Sequence, residues 1–271
     1  MMRTDTPVDT ALAADIARIA VGSLYAELVL YPKPGLVSLV DNGSHSDMQA
    51  ATFMRSLFTL RHYFGHVFQA GRDDAPFARL RTLGIDAERR MMLATSGINT
   101  HRGAIFSLGL LCAAVGRASS QGLQMTPAAL RAVLLICWGE ALAGHAHGAR
   151  GAREEGALGL PSVFDVGVPA LQATLAAGRS MRHARVDALF ALMAQIDDTN
   201  VVHRGGLAGA RTVRAGARAF VDAGGTAQAD WMERAVALHH NFIGARLSPG
   251  GAADLLAATC FVHSACTRGA P

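Results

Sequence analysis

Lysine is all but absent from this 271-residue chain, where Lys33 stands alone against 24 arginines. The arginines are scattered and follow no basic stripe with interleaved aromatics, which argues against a nucleic-acid surface. Cysteine is scarce as well: Cys112, Cys137, Cys260 and Cys266 lie in apolar stretches without a Cys-x-x-Cys pair. That pattern excludes a disulfide scaffold and reads as core thiols of a reducing compartment. Long apolar runs are missing, since the longest, 103–116, is closed by Arg102 and Arg117. It falls short of the roughly 18–20 residues that cross a bilayer and reads as a buried core helix. The N-terminus has no secretory pattern, and Asp5 and Asp9 are wrong for a transit peptide, so the expectation is a cytoplasmic protein with no membrane association. No Ser/Gly/Pro-rich linker divides the chain, which is read as one domain, 1–271. Period-two, β-branched runs are lacking, so the expected class is all-α. Neither a Gly-x-x-x-x-Gly-Lys-Ser/Thr loop nor a Gly-x-Gly-x-x-Gly after a strand occurs, which removes the commonest nucleotide folds.

What the chain does have is core material: 51% hydrophobic residues with 17% charged ones. A net charge of +4 suits a small polyanion such as a nucleotide. Helical spacing recurs almost throughout. Over 10–30, Leu12, Ile16, Ile19, Ala20, Leu24 and Leu28 share one face, and Pro32 with Pro34 ends the helix. Similar patterns predict helices over 47–68, 77–95, 104–117, 127–143, 169–177, 186–195, 207–223, 229–243 and 251–266. Between them lie loops at 32–46, 96–102, 144–165, 197–206 and 244–250, and the main polar clusters fall in or beside these.

The most distinctive cluster is doubled: His101-Arg102-Gly103 and His203-Arg204-Gly205. The first follows Asn99-Thr100 at the start of a predicted helix, where free backbone N–H groups and Arg102 converge in a geometry that binds anions. The second follows Asp197-Asp198-Thr199-Asn200, whose paired carboxylates could ligate magnesium or act as base, while Arg204 can hold phosphate in two places. Plain helix capping by Asn99, Thr100 or an Asp is the competing explanation for either copy alone. Lys33-Pro34-Gly35-Leu36-Val37-Ser38 forms a stiff loop in which Lys33 and Ser38 could hold a phosphate while Gly35 permits close approach. Asp41, His45 and Asp47 crowd the turn that follows, a donor set suited to magnesium unless Ser46 or Asp47 merely caps the next helix. His147 and Arg150 belong to a glycine-rich segment read as nucleotide-facing or as a salt-bridged surface loop. His145 and His147 lack the spacing of a helical zinc site. Asp254 is a candidate support for the site. His62, His66, His183, His239, His240 and His263 read as structural or solvated.

In their order along the chain, 32–38, 43–48, 99–106, 198–206 and 248–251 resemble the triphosphoribosyl-dephospho-coenzyme A synthase family, with the likeness running from about Leu12 to Phe261. The resemblance implies ATP and 3′-dephospho-coenzyme A as substrates and release of adenine. The product would be the prosthetic-group precursor for an acyl carrier protein. The wording of Val37-Ser38 and of 41–45 is more similar to the malonate decarboxylase branch than to the citrate lyase branch. Set against the residues, the implied glycosyl transfer draws catalytic groups from Asp41, His45, His101, Asp198 and His203. Its substrate contacts come from Lys33, Gly35, Ser38, Asn99, Thr100, Arg102, His147, Arg150, Asn200 and Arg204. Magnesium would be held by Asp47, Asp197 and Asp198, and a homodimer is allowed. Two other classes remain open at this point. One is a magnesium-dependent all-α glycohydrolase of the ADP-ribosyl type, in which water is the nucleophile. The other is a non-catalytic helical adaptor for a carrier protein.

Overall fold

The computed structural model describes residues 7–145 and 152–268. Among them are eleven α-helices and no strand, in accord with the all-α expectation. The helices are α1 (Pro7–Leu28), α2 (Ala50–Arg72), α3 (Phe77–Ala94), α4 (Arg102–Ser120), α5 (Pro127–His145), α6 (Ala152–Ala157), α7 (Val168–Ala176), α8 (Met181–Gln195), α9 (Thr199–Asp222), α10 (Trp231–Gly244) and α11 (Gly250–Arg268).

The apolar stripe on α1 packs as its spacing requires, with Ile16, Ile19, Ala20, Leu24 and Leu28 all buried. With Leu60, Phe64 and Phe68 of α2, Leu108 and Leu111 of α4 and Trp138 of α5, it forms one core. A second core gathers Leu171, Leu189, Phe190, Phe220 and Phe242 from α7 to α10, and Phe190 stacks on Phe220 with ring centroids 3.8 Å apart. Burying side chains of this size contributes about 1.5–3 kcal/mol each. Helix α11 belongs to both cores, giving Leu256 and Cys260 to the second and Ala257, Ala258 and Phe261 to the first. The two cores therefore fuse into one body along α11, with a cleft over the seam.

Helices α4 and α5 are each long and apolar enough to span a bilayer by composition. Helix α4 spends that character inside, lying against α2 and α11 with Ala104 to Val115 almost wholly buried. Helix α5 turns Leu135 and Ile136 outward.

Three loop expectations are corrected. The stretch 197–206 is not a loop: Asp198 caps α9, so His203-Arg204-Gly205 sits on the helix. The polar composition hid a helix that breaks only at Gly206, whose φ of 60° and ψ of −165° are glycine geometry. Within 144–165 lie α6 and a π-helical segment, Ser162–Gly167, which precedes α7. Helix α4 starts at Arg102, so both arginines of the doubled tripeptide are helical.

Candidate active site

Three helix N-termini meet at the cleft, held there by two aspartates. Asp198 accepts the backbone N–H groups of Asn200 at 2.9 Å and Val201 at 3.4 Å, which caps α9, and that of Ala252 at 3.1 Å, which ties in the start of α11. Asp254, one turn into α11, accepts the N–H groups of Gly103 and Ala104 at the start of α4. Asn99 completes that end by accepting the N–H of Arg102 at 3.1 Å. The positive ends of three helix dipoles therefore point into one space, which favours an anion.

That space is a cavity of about 1470 Å³. Single small-molecule sites occupy roughly 300–1,000 Å³, so this cleft exceeds the usual size of a site for one ligand. His101-Arg102-Gly103 and, from the second copy, His203 and Arg204 line it, along with Asn99, Thr100, Asn200, His45, Glu27, Asp198 and Asp254.

Its electrostatics come from burial. Asp254 keeps part of its surface on the cleft, yet the surrounding protein removes enough solvent to raise its pKa well above that of an ordinary carboxylate, and neighbouring Glu27 and Asp198 push the same way. Burial also raises Asp198, against the opposing pull of its backbone N–H bonds. Glu27 is raised by burial although Lys33 works against the shift. His101 is 2% exposed, and burial with the nearby Lys33 charge lowers it to about 3. It is a neutral imidazole, bonded through Nδ1 to Ser56 Oγ at 2.6 Å, and its buried Nε2 has no protein partner.

Arg204 reaches back to the Ser44 carbonyl at 3.3 Å and donates to His45 Nδ1 at 2.9 Å. A guanidinium cannot accept, so Nδ1 of His45 is unprotonated and Nε2–H faces Ser248 Oγ at 2.8 Å. Burial and Arg204 lower the pKa of His45 accordingly. His203 is exposed in the cleft and has no such engagement. Arg102 pairs with Glu88 at 2.6 Å and Arg214 with Asp197, whereas Arg81 and Arg211 line the cleft without an ion pair among the described residues.

Several expected contacts lie elsewhere. Lys33 is 1% exposed and its Nζ sits 2.5 Å from Glu27 Oε1, so the sole lysine answers a buried carboxylate and does not face the cleft. Gly35 packs where a Cβ would fall 2.1 Å from the Leu247 carbonyl oxygen, at a φ of 71°. The Ser38 hydroxyl accepts from the N–H groups of Val40 and Asp41, turning the chain. Asp41 accepts from Gly43 N–H at 2.8 Å and from His239 Nε2 at 3.0 Å, which fixes the 33–45 loop behind the cleft wall. None of Lys33, Gly35, Ser38 and Asp41 lines the cavity. The three expected magnesium ligands do not converge: Asp47 and Asp197 have side chains 59% and 92% exposed, and the Asp198 carboxylate is taken by backbone N–H groups. Among the described residues no three His, Cys, Asp or Glu side chains are placed to hold a metal. His147 and Arg150 lie outside the described residues.

Four contributors escaped the sequence reading or were left at its margin. Glu27 is one of several charged residues on α1, Asp15 and Arg18 among them. His239, read as structural or solvated, is fully buried, donates to Asp41 and accepts Gly35 N–H at 3.2 Å. Ser248 carries no individual signal of a site role within the 248–251 motif. Arg211 follows Arg204 by seven residues, and with Arg214 it lines the cleft from beyond the Gly206 break.

The chain matches the family described as CitG, ATP:dephospho-CoA triphosphoribosyl transferase, over residues 13–144 and 136–270. It is 40% identical to a probable 2-(5″-triphosphoribosyl)-3′-dephosphocoenzyme-A synthase of Acinetobacter calcoaceticus, covering 89% of this chain and 87% of that one. A protein of the same description in Stutzerimonas stutzeri is also 40% identical, over 92% and 91%. The 2-(5″-triphosphoribosyl)-3′-dephosphocoenzyme-A synthase of Pectobacterium atrosepticum is 38% identical, over 92% and 88%. No solved structure matches.

Proposed function

The chain belongs to the ATP:dephospho-CoA triphosphoribosyl transferase family, and from that premise we propose how its cleft carries out the transfer. The observation that carries the reading is the convergence of three helix N-termini, Arg204 and Arg211 on the same cavity as Asp254, Glu27 and Asp198. Cations and helix ends suit a triphosphate, and carboxylates suit the positive charge that grows on a ribosyl carbon when its base departs.

A ribose hydroxyl of dephospho-CoA attacks C1 of the ATP ribose. The C–O bond forms as the C–N bond to adenine breaks, and the triphosphate stays on the sugar. One proton leaves the hydroxyl and one is taken up by adenine. Asp254 receives the hydroxyl proton, because burial and two neighbouring carboxylates make its anion a stronger base than a solvated Asp. Glu27 and Asp198 stand beside it as the neighbouring carboxylates that raise its basicity. His45 is occupied by Arg204 and Ser248, and His101 is held neutral, which leaves His203 to protonate the departing adenine. His101 Nε2 and Thr100 Oγ1, both buried and unpartnered, hydrogen-bond to substrate. Arg204 and Arg211 hold the triphosphate, with Asn200 beside them. Magnesium enters as part of the nucleotide substrate, since the described residues offer no ligand set of their own.

The product is assigned to the carrier protein of malonate decarboxylase, supported by the wording of Val37-Ser38 and 41–45. Incubation with each purified apo-carrier protein and its transferase tests that branch. For the reaction itself, purified protein with ATP, magnesium and dephospho-CoA should yield free adenine and the triphosphoribosylated product by mass. Adenine with free ribose triphosphate and no adduct would instead identify a hydrolase.

A further inference from the structure

One lobe of the cleft takes no part in the chemistry above. Past Thr100, between α3, α4, α5 and α6, the wall turns from charged to apolar and is formed by Phe77, Leu80, Phe106, Leu110 and Leu142. Leu80, Leu110 and Leu142 are buried at its base, whereas Ile85 and Leu158, 55% and 57% exposed, stand at its mouth. Arg81 and Glu154 supply a polar edge.

We infer that this lobe receives the pantetheine arm of the acceptor, an assignment that rests on the functional reading above. The two substrates differ in one respect that matters here. ATP ends in a triphosphate and has no apolar extension, so its demands are met on the α9 side by Arg204 and Arg211. Dephospho-CoA carries a long arm with a geminal dimethyl group, two amides and a thiol. That arm needs an apolar channel with occasional hydrogen-bond partners, the usual make-up of a small-molecule site. The lobe supplies both: the leucine and phenylalanine lining, and Thr100 Oγ1, buried at its entrance without a protein partner and able to serve an amide. It opens into the carboxylate cluster, so an arm lying in it leaves the acceptor's nucleotide at the reacting centre. Excluding water from that arm also favours adenosine acceptors that bear it over ATP itself, which has the same ribose hydroxyls. The lobe is therefore the feature that selects the acceptor.

Binding and turnover are measured separately. Ile85→Asp and Leu158→Asp change exposed positions and keep the fold; Phe106→Ala enlarges the lobe from within. Calorimetric titration should show dephospho-CoA weakened about tenfold in each, which corresponds to about 1.4 kcal/mol, while the Kd for ATP stays within about twofold. With wild-type protein, 4′-phosphopantetheine should displace dephospho-CoA and leave ATP binding unchanged. Variants that bind dephospho-CoA like wild type, an equal loss for ATP, or failure of 4′-phosphopantetheine to compete would each overturn the assignment. If the binding pattern holds but wild-type protein forms no adduct, the functional reading fails and the lobe assignment stands. If adduct forms normally and the variants do not discriminate, the lobe assignment alone fails.

Discussion

Replacing Lys33 separates a structural lysine from a phosphate-binding one. Lys33→Met removes the cation from a pair in which Lys33 and Glu27 have side chains only 1% and 7% exposed. The methionine stem fills most of the lysine volume, so the main cost is Glu27 left buried without a partner. Removing one member of a buried pair costs about 3–5 kcal/mol. For a chain of this size that lowers the melting temperature by roughly 6–20 °C, at roughly 2–4 °C per kcal/mol. Adding Glu27→Gln should return most of the loss, because an apolar and a neutral side chain no longer confine a charge. The pH dependence has a definite sign. Glu27 has a folded pKa raised above its ordinary 4.5. The native state therefore favours its protonated form, a contribution fully present below the unfolded value and lost as pH rises through the folded one. The stability gap between wild type and Lys33→Met should accordingly narrow as pH falls through that window and be widest above it. Urea titrations at several pH values with steady-state KM for ATP decide the matter. A Lys33→Met protein of unchanged stability whose KM for ATP rises tenfold would falsify the buried-pair account and restore Lys33 to the triphosphate.

Other substitutions probe the remaining parts of the site. Asp198→Ala removes the α9 cap and the tie to Ala252, so a stability loss at or above the usual ~1–2 kcal/mol for a cap is expected by urea unfolding, with adenine release abolished. Unchanged adenine release would remove Asp198 from the site. Arg211→Ala, at an exposed position, should leave the melting temperature within about 1 °C, raise KM for ATP about tenfold, and leave the KM for dephospho-CoA nearly unchanged. Equal effects on both substrates would count against a triphosphate wall on α9. With its pKa lowered to about 3, His101 stays neutral across the working range, so His101→Gln should lower kcat without moving either limb of the pH–rate profile between pH 5 and 9. Loss of a limb in that variant would show that His101 exchanges protons during turnover. Gly206→Ala forces a side chain into glycine-only backbone geometry and should cost about 1–3 kcal/mol in thermal unfolding.

The two His-Arg-Gly copies show how much of this was legible beforehand. Their position at polar entries to apolar helices was readable, and the structure brings both to one cleft, because an Asn or Asp before a helix fixes where its free N–H groups point. The helices themselves were legible wherever a stripe of spacing three and four ran unbroken, as from Ile16 to Leu28. The opening turns of α9 escaped because they are polar and broken by glycine, features that periodicity reads as loop. Lys33 misled for a related reason: rarity marked it as special, but one-dimensional order cannot say whether a charge faces solvent or a buried partner six residues away. Glu27, Asp254 and His239 gain their roles only from contacts across the fold, with Lys33, with the start of α4 and with Asp41. A carboxylate on an apolar helix face carries one piece of advance information, which is that burial will cost free energy unless something meets it. Glu27 on α1 and Asp254 on α11 both carried that signal. In this molecule one is met by the only lysine and the other by a helix N-terminus, and both remain open to the cleft in which a ribosyl cation would form.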